Sequence, residues 1–353
     1  MGVIKPRRID EKEKGKRSLY SEGAVPGASK LSGVNKTFLL AALPYSQENY
    51  SNIKLLLSQL DMSDMKPTFS PDMKMAIYMI GKVYSTCKFP CIFGSGSSPW
   101  VDVCDLLTVG DSKMWYARFM AAGGKGTGIE FASFVYEILF QYPDETLLID
   151  ILNFPELHVM LGIVQKILDY IQLLSSTKFI DSIIHKLNIT ETYHRGKKGL
   201  NGNACKKLLE NPTLITIRSK ALPDTCDKVK IAAAAKTLSL FGTMVHSSFG
   251  NLVVGDWRQD ITNFCASYRA LPGISYPPKF HLVEGHLQQW LERRWSQDKS
   301  YEGFGCGYWS EQPFEALHDK FDQFWTRYKV GREHEDFGKT LRDAVMSWNS
   351  RKV

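Results

Sequence analysis

The sequence has no uninterrupted apolar run approaching the roughly 20 residues that a membrane-spanning helix needs. Its start has no apolar stretch of the secretory-signal type and no myristoylation signal after Gly2. The seven cysteines are odd in number and widely spread, which favours a reducing compartment over a disulfide framework. Internal repeats and low-complexity tracts are also missing. These absences predict a protein of the cell interior with no membrane partner.

Apolar and aromatic residues are plentiful in this chain of 353 residues. Hydrophobic residues make up 44% of it, with eight Trp, fifteen Tyr and nineteen Phe, so the chain can bury a sizeable core and is not disordered. The formal net charge of +7 is mildly basic and permits nucleic-acid or other acidic partners.

The order of patterns along the chain predicts a short strand region followed by many helices. Residues 1–33 are charged and rich in Gly, Pro and Ser, which indicates a flexible basic arm that contacts phosphates, acts as a nuclear address or only solubilises the chain. A buried strand at 37–43 and a helix at 50–60 follow. Helical periodicity then predicts helices at 131–141, 157–174, 180–187, 204–210, 227–249, 256–270, from 277 onward and at 336–349.

The stretch from Gly303 to Tyr328 combines several helix and loop signals. Its three spaced glycines predict a loop, and Ser310 with Pro313 predicts a helix start. Four polar residues then follow one another at steps of four, three and four: Glu311, Glu315, His318 and Asp322. A carboxylate in such a stripe can hold a metal or act as a base, or the stripe is simply the solvated face of an amphipathic helix.

Five other residues, in three parts of the chain, are of types that can bind metals. Asp72 opens an apolar segment and is either a helix cap or a functional carboxylate. Cys87 and Cys91 are four residues apart, and His281 and His286 are five apart, and both spacings occur in zinc sites. Inert buried thiols and core or surface histidines are the alternatives.

Four motifs occur in an order that is more specific than any one of them. They are Pro155–Gly162 (PELHVMLG), Asn201–Leu209 (NGNACKKLL), Phe280–His286 (FHLVEGH) and the Gly307–Trp309 loop before Ser310-Glu311. Together with Asp72 and Cys91 they resemble the catalytic core of Transib-type transposases and of the V(D)J recombinase large subunit. The chain looks closer still to transposon-derived proteins that share the PELH, NGN and WSEQ signatures.

The resemblance implies an α/β fold, an RNase H-like core with a mixed sheet flanked by helices and interrupted by a large all-helical insertion. It divides the chain into a basic arm (1–33), the N-terminal part of the core (34–111), the helical insertion (112–275) and C-terminal helices that complete the core (276–353).

The resemblance also implies metal chemistry. It matches Asp72 and Glu315 to catalytic carboxylates that bind Mg²⁺ or Mn²⁺ for two-metal DNA strand transfer, with Glu311 as a second candidate because the Ser-Glu pair is shifted by one. It matches Cys91, His281 and His286 to ligands of a structural zinc. The family's second cysteine is replaced by Gly94, so the zinc site is incomplete unless Cys87 substitutes.

The family's first catalytic aspartate has no counterpart on a good strand before Asp72, so we expect a truncated or degenerate transposase that still binds DNA in the nucleus. One alternative is an active strand-transferase whose missing carboxylate comes from Asp102, Asp105, Glu156 or a partner chain, such as a homodimer. Another is a host-adopted DNA-binding or scaffold protein without chemistry. In each case the expected phosphate contacts are Arg195, Lys197, Lys198, Lys206, Lys207, Arg293 and Arg294.

Overall fold

The computed structural model describes residues 91, 93, 106–114, 142–190, 192–194, 197–310, 320–321, 323–328, 330 and 333–350. The chain separates into two compact units. The first unit comprises Met1–Ser97, Asp105–Pro155 and Tyr308–Val353, and the second comprises Ser98–Cys104 and Glu156–Gly307.

Helices account for most of the described elements. In chain order these elements are α1 (Leu148–Ile151), α2 (Glu156–Leu174), α3 (Thr177–Lys186), β1 (Thr192–His194), β2 (Lys197–Gly199), α4 (Gly202–Leu209), α5 (Thr213–Ser219), α6 (Lys228–Ser248), α7 (Trp257–Arg269), α8 (Pro278–His281), a π-helix (Leu282–Leu287), α9 (Gln288–Gln297), 3₁₀ turns at Lys299–Tyr301 and Cys306–Trp309, and α10 (Phe337–Ser350). Residues 109–114, 320–321 and 323–325 are also helical.

The second unit is built around α6, which packs on α2, α4, α5 and α7. Its buried face includes the small residues Ala234 and Ala235, which allow neighbouring helices to approach closely. Beside them lies an aromatic cluster in which Phe264 of α7 contacts Phe241 at 4.8 Å and Phe280 at 5.9 Å between ring centroids. Tyr268 stacks on Phe280 at 4.2 Å. This cluster joins α6, α7 and α8 in one core.

Several helices begin with a polar capping residue, and these caps are recognisable in the sequence. The side chains of Ser176, Asn201, Asp227 and Asp256 each accept a hydrogen bond from the backbone amide three residues later. Such N-caps satisfy amides that have no partner within the helix. The helices predicted at 157–174, 180–187, 204–210, 227–249, 256–270 and 336–349 are confirmed to within a few residues.

The described part of the first unit contains two local packing centres. Near α1, the backbone of Thr108 pairs with that of Leu147, and Lys113 forms an ion pair with Asp144. The other centre lies along α10, where Trp348 packs edge-on against Phe321 and Phe324. In the first centre, the ion pair joins residues that are 31 positions apart in the sequence.

The predicted RNase H-like mixed sheet is wrong for the described residues. The only sheet among them is the antiparallel pair β1–β2, whose strands are three residues long and pair Thr192 with Gly199. Apolar residues in this part recur at steps of three and four, which buries one face of a helix and leaves no alternating pattern for a sheet. The strand predicted at 37–43 and the helices predicted at 50–60 and 131–141 lie outside the described residues.

One helix among the described residues, α2, is long and apolar enough to cross a membrane. Only its length and composition qualify it as a possible membrane span, and a buried core helix can have the same length and composition. α2 begins with the buried Glu156 and packs on α3, α4, α6 and α8. Its packing is that of a core helix.

We predict that Phe264→Ala lowers the free energy of unfolding by about 3–5 kcal/mol, because it leaves a cavity in the aromatic cluster. Phe264 is fully buried, so its neighbours cannot refill the space without moving helices. Chemical denaturation followed by circular dichroism measures the loss. The matched control is Asn263→Ala on the exposed face of α7, which should change stability by less than about 0.5 kcal/mol. Similar losses in both variants would contradict a core centred on Phe264.

Candidate metal centre

Several predicted site residues lie outside the described part of the chain. These are Asp72, Cys87, Asp102, Asp105, Arg195, Glu311 and Glu315. Their catalytic, metal-binding and phosphate-binding roles stay predictions. Among the predicted metal ligands, the structure describes Cys91, His281 and His286.

A π-helical turn brings His281 and His286 together. In an α-helix, side chains five residues apart point about 140° away from each other around the axis. In a π-helix each amide bonds to the carbonyl five residues earlier, so the residue at that distance returns to nearly the same face. The turn Leu282–Leu287 is π-helical, and the two imidazole rings meet edge to face, with centroids 5.1 Å apart and planes at 88°.

Tertiary contacts hold this irregular turn. Leu282, Val283 and Leu287 are fully buried on its inner face. On its outer side Glu284 accepts two hydrogen bonds from the guanidinium of Arg269 in α7, one of them 2.8 Å long from Nη2 to Oε2. A bidentate pair fixes direction as well as distance. The π-turn is therefore attached to the core from both sides.

Gly285 makes room for the His281 ring. A Cβ atom at this position would lie 3.3 Å from Cε1 of His281, which is tighter than ordinary van der Waals contact. The absence of a side chain lets the imidazole lie against the turn that carries it. Gly285 thus contributes to the close approach of the two histidines.

Cys91 is the third predicted ligand. Its side chain is buried. It belongs to the first unit, whereas both histidines belong to the second, so its role as a zinc ligand stays a prediction.

The donor set and its protonation suit zinc. One thiolate sulfur and two imidazole nitrogens are ligands that Zn²⁺ takes at about 2.3 Å and 2.0–2.1 Å respectively, in a tetrahedron with a fourth position. Burial, together with the nearby His281, lowers the pKa of His286 to about 4. The ring is therefore neutral at pH 7, and a neutral imidazole is the form that binds metals.

The motifs of the resemblance meet on helix α2. Leu157, from the PELH motif, lies 3.0 Å from the position that a Cβ of Gly202, in the NGN motif, would occupy. One turn further along α2, the side chain of Lys279, next to the FH motif, lies across Gly162. Residues that are far apart in sequence thus meet at successive turns of one helix.

Glu156, the alternate catalytic carboxylate, is the fully buried first residue of α2. Burial and the charge of Glu156 raise the pKa of the Cys306 thiol, which is itself fully buried. Cys306 sits in the glycine loop, where a Cβ on Gly305 would lie 2.8 Å from the carbonyl oxygen of Ser248. The loop is thus packed tightly against the end of α6. Glu156 therefore lies in a core environment and not in a groove open to DNA.

The predicted phosphate contacts have different surroundings. Lys207 is exposed and its Nζ donates to the carbonyl of Asn188, while Lys206 and Arg293 are half-buried. Lys197 and Lys198 lie on β2, with their side chains outside the described part. Arg294 requires a correction: it is 3% exposed, lies over the Trp290 ring at 5.1 Å and bonds to Gln297. A guanidinium buried in this way is not available to a phosphate.

Sequence reasoning missed the concentration of positive charge between residues 178 and 236. This segment holds twelve Lys and Arg against five Asp and Glu, a formal charge of +7 that equals the net charge of the whole chain. Counting charge by segment would have found it. Lys178 and Lys186 lie four residues on either side of Ser182, so all three share a face of α3.

Two contacts bring further cations to that face. Arg218 donates to Oγ of Ser182 at 3.4 Å, and Lys207 donates to the carbonyl oxygen of Asn188, just after α3, at 3.2 Å. We call Lys178, Lys186, Lys207 and Arg218 the basic surface. The three lysines are exposed.

No protein-family model, no curated protein and no solved structure matches this chain.

We predict that Asn201→Ala lowers the free energy of unfolding by about 1 kcal/mol, because Oδ1 of Asn201 caps α4 by accepting a 2.9 Å hydrogen bond from the amide of Ala204. Thermal or chemical unfolding measures this loss. Asn203→Ala, two residues later on the exposed side of α4, should leave stability unchanged or slightly raised, since Ala favours helices. The opposite order of the two effects would show that the NGN motif is not a helix cap.

Proposed function

We propose that this chain is a zinc-binding, transposase-derived protein in which Cys91, His281 and His286 hold a structural zinc ion. The observation that carries the proposal is the π-helical turn that brings the two histidines together, with ring centroids 5.1 Å apart. The resemblance to Transib-type transposases supports it independently, because it matches the same two histidines, together with Cys91, to zinc ligands.

The chemistry of the site favours a structural role for the zinc. Cys91 is separated from His281 by 190 positions in the sequence, so one ion would join segments that are distant along the chain. A shared ion stabilises the folded chain by an amount that grows with the logarithm of its affinity, because the site does not exist in the unfolded chain.

We predict that the purified chain binds one zinc ion. His286→Ala should weaken its zinc affinity by more than about 100-fold, because removing a ligand costs more than removing a residue that only hydrogen-bonds to a ligand. Cys91→Ser and His281→Ala should have the same effect. Competition with a chromophoric chelator measures the affinity. Zinc added to the chelator-treated wild-type chain should also raise its melting temperature by mass action.

The control for zinc binding is His185→Ala, which removes an exposed histidine of α3 in the same helical unit. This variant should bind zinc as the unmodified chain does. A wild-type chain that binds no zinc, or His286→Ala binding as tightly as His185→Ala, would refute the site.

We further propose that the basic surface binds the phosphate backbone of DNA, in keeping with the nuclear, DNA-associated role that the resemblance implies. The concentration of the chain's whole net charge in residues 178–236 supports this proposal. Two other lysines of this segment, Lys228 and Lys230 in the first turn of α6, form ion pairs with Asp224 and Asp227, which precede the helix. Contacts of this kind give affinity without reading sequence.

We predict that the double variant Lys186→Ala/Lys207→Ala binds duplex DNA more weakly than wild type at every salt concentration. The slope of log affinity against log salt should fall by about 0.9 for each phosphate contact removed. Fluorescence anisotropy with a labelled duplex measures both quantities.

The charge-matched control is Lys299→Ala/Lys339→Ala, which removes two exposed lysines outside residues 178–236. This control should keep the wild-type slope. Equal slopes for both double variants, or wild-type binding that does not respond to salt, would contradict the basic surface.

A further inference from the structure

We propose that Gln289 is a positioning residue for the metal centre, holding the His286 ring so that its Nε2 atom, and not Nδ1, binds the ion. The inference rests on the proposed zinc site and adds a residue outside its three proposed ligands.

The geometry around His286 assigns this role. Gln289 lies in α9, three residues after His286, and its Oε1 atom is 3.3 Å from Nδ1 of the ring. A carboxamide oxygen can only accept, so this contact requires the hydrogen to be on Nδ1. The lone pair of the neutral ring is then on Nε2, at the far end of the imidazole.

His286 is buried and Gln289 is exposed, as expected for a metal ligand and for a residue that hydrogen-bonds to it from outside. His286 is 3% exposed, while Gln289 lies at the exposed surface of α9. The glutamine thus closes the solvent side of a buried ring. An acceptor on the second nitrogen of a metal-binding histidine fixes its tautomer and raises the basicity of the nitrogen that binds.

The neighbouring glutamine has a different partner and provides a control. Gln288 is also exposed and donates from Nε2 to the carboxylate of Glu292, one turn along α9, at 3.1 Å. Replacing Gln288 by leucine therefore repeats the change in polarity and helix propensity, at the next position, without touching His286.

The test compares zinc affinity in Gln289→Leu, Gln289→Glu and Gln288→Leu, with circular dichroism confirming that each chain is folded. We expect Gln289→Leu to weaken zinc binding about 10–100-fold, the usual loss for an outer partner. Gln289→Glu keeps an acceptor and should restore affinity to within a few-fold of wild type. Gln288→Leu should bind as wild type does.

A spectroscopic readout separates positioning from a general loss of structure. Long-range ¹H–¹⁵N NMR of the zinc-loaded wild-type chain should show a protonated Nδ1 and a metal-bound Nε2 at His286. Zinc bound to Nδ1, or equal affinities for Gln289→Leu and Gln288→Leu, would overturn the positioning role while leaving the zinc site intact. Absence of zinc binding by the wild-type chain would overturn both proposals.

Discussion

Burial of helix α2 is the constraint on which much of the helical unit depends. Its inner face carries Val159, Ile163 and Ile167, which are fully buried, and water cannot cover such a face without a large loss of hydrophobic free energy. The elements that pack on α2 are α3, α4, α6 and α8. Gly202 of the NGN motif comes with α4, and Lys279, next to the FH motif, comes with α8. Residues in and beside these motifs thus have a packing role that does not depend on catalysis.

The π-helical turn shows a local preference overridden by tertiary contacts. The π-helix is rare, occurs mostly as a single turn within an α-helix, and is frequent at functional sites. Here the buried face of Leu282, Val283 and Leu287 and the ion pair of Glu284 with Arg269 hold it in place. Its result is the close approach of two histidines whose five-residue spacing would separate them on an α-helix. The irregularity and the metal-binding residue types coincide, which is the physical basis for the proposed zinc site.

The charged residues of the chain divide according to burial rather than sequence context. Arg293 and Arg294 are adjacent, yet Arg294 enters the core over Trp290 while its neighbour is half-buried. A doublet of arginines in a sequence favours a phosphate site, but a helix turns successive residues by about 100° and can direct them to opposite surroundings. Lys178, Lys186 and Lys207, in contrast, reach the surface around α3.

The sequence by itself determined the helices of the described region and their starts, because caps such as Asn201 and Asp227 and the spacing of apolar residues act within a few residues. It also named the three candidate zinc ligands, through motif order. The tertiary structure alone decided that no RNase H-like sheet occurs in the described region, that Arg294 is buried and that the histidine pair lies on a π-turn. These outcomes depend on which side chains, distant in sequence, pack together in one core, and local sequence patterns do not contain that information.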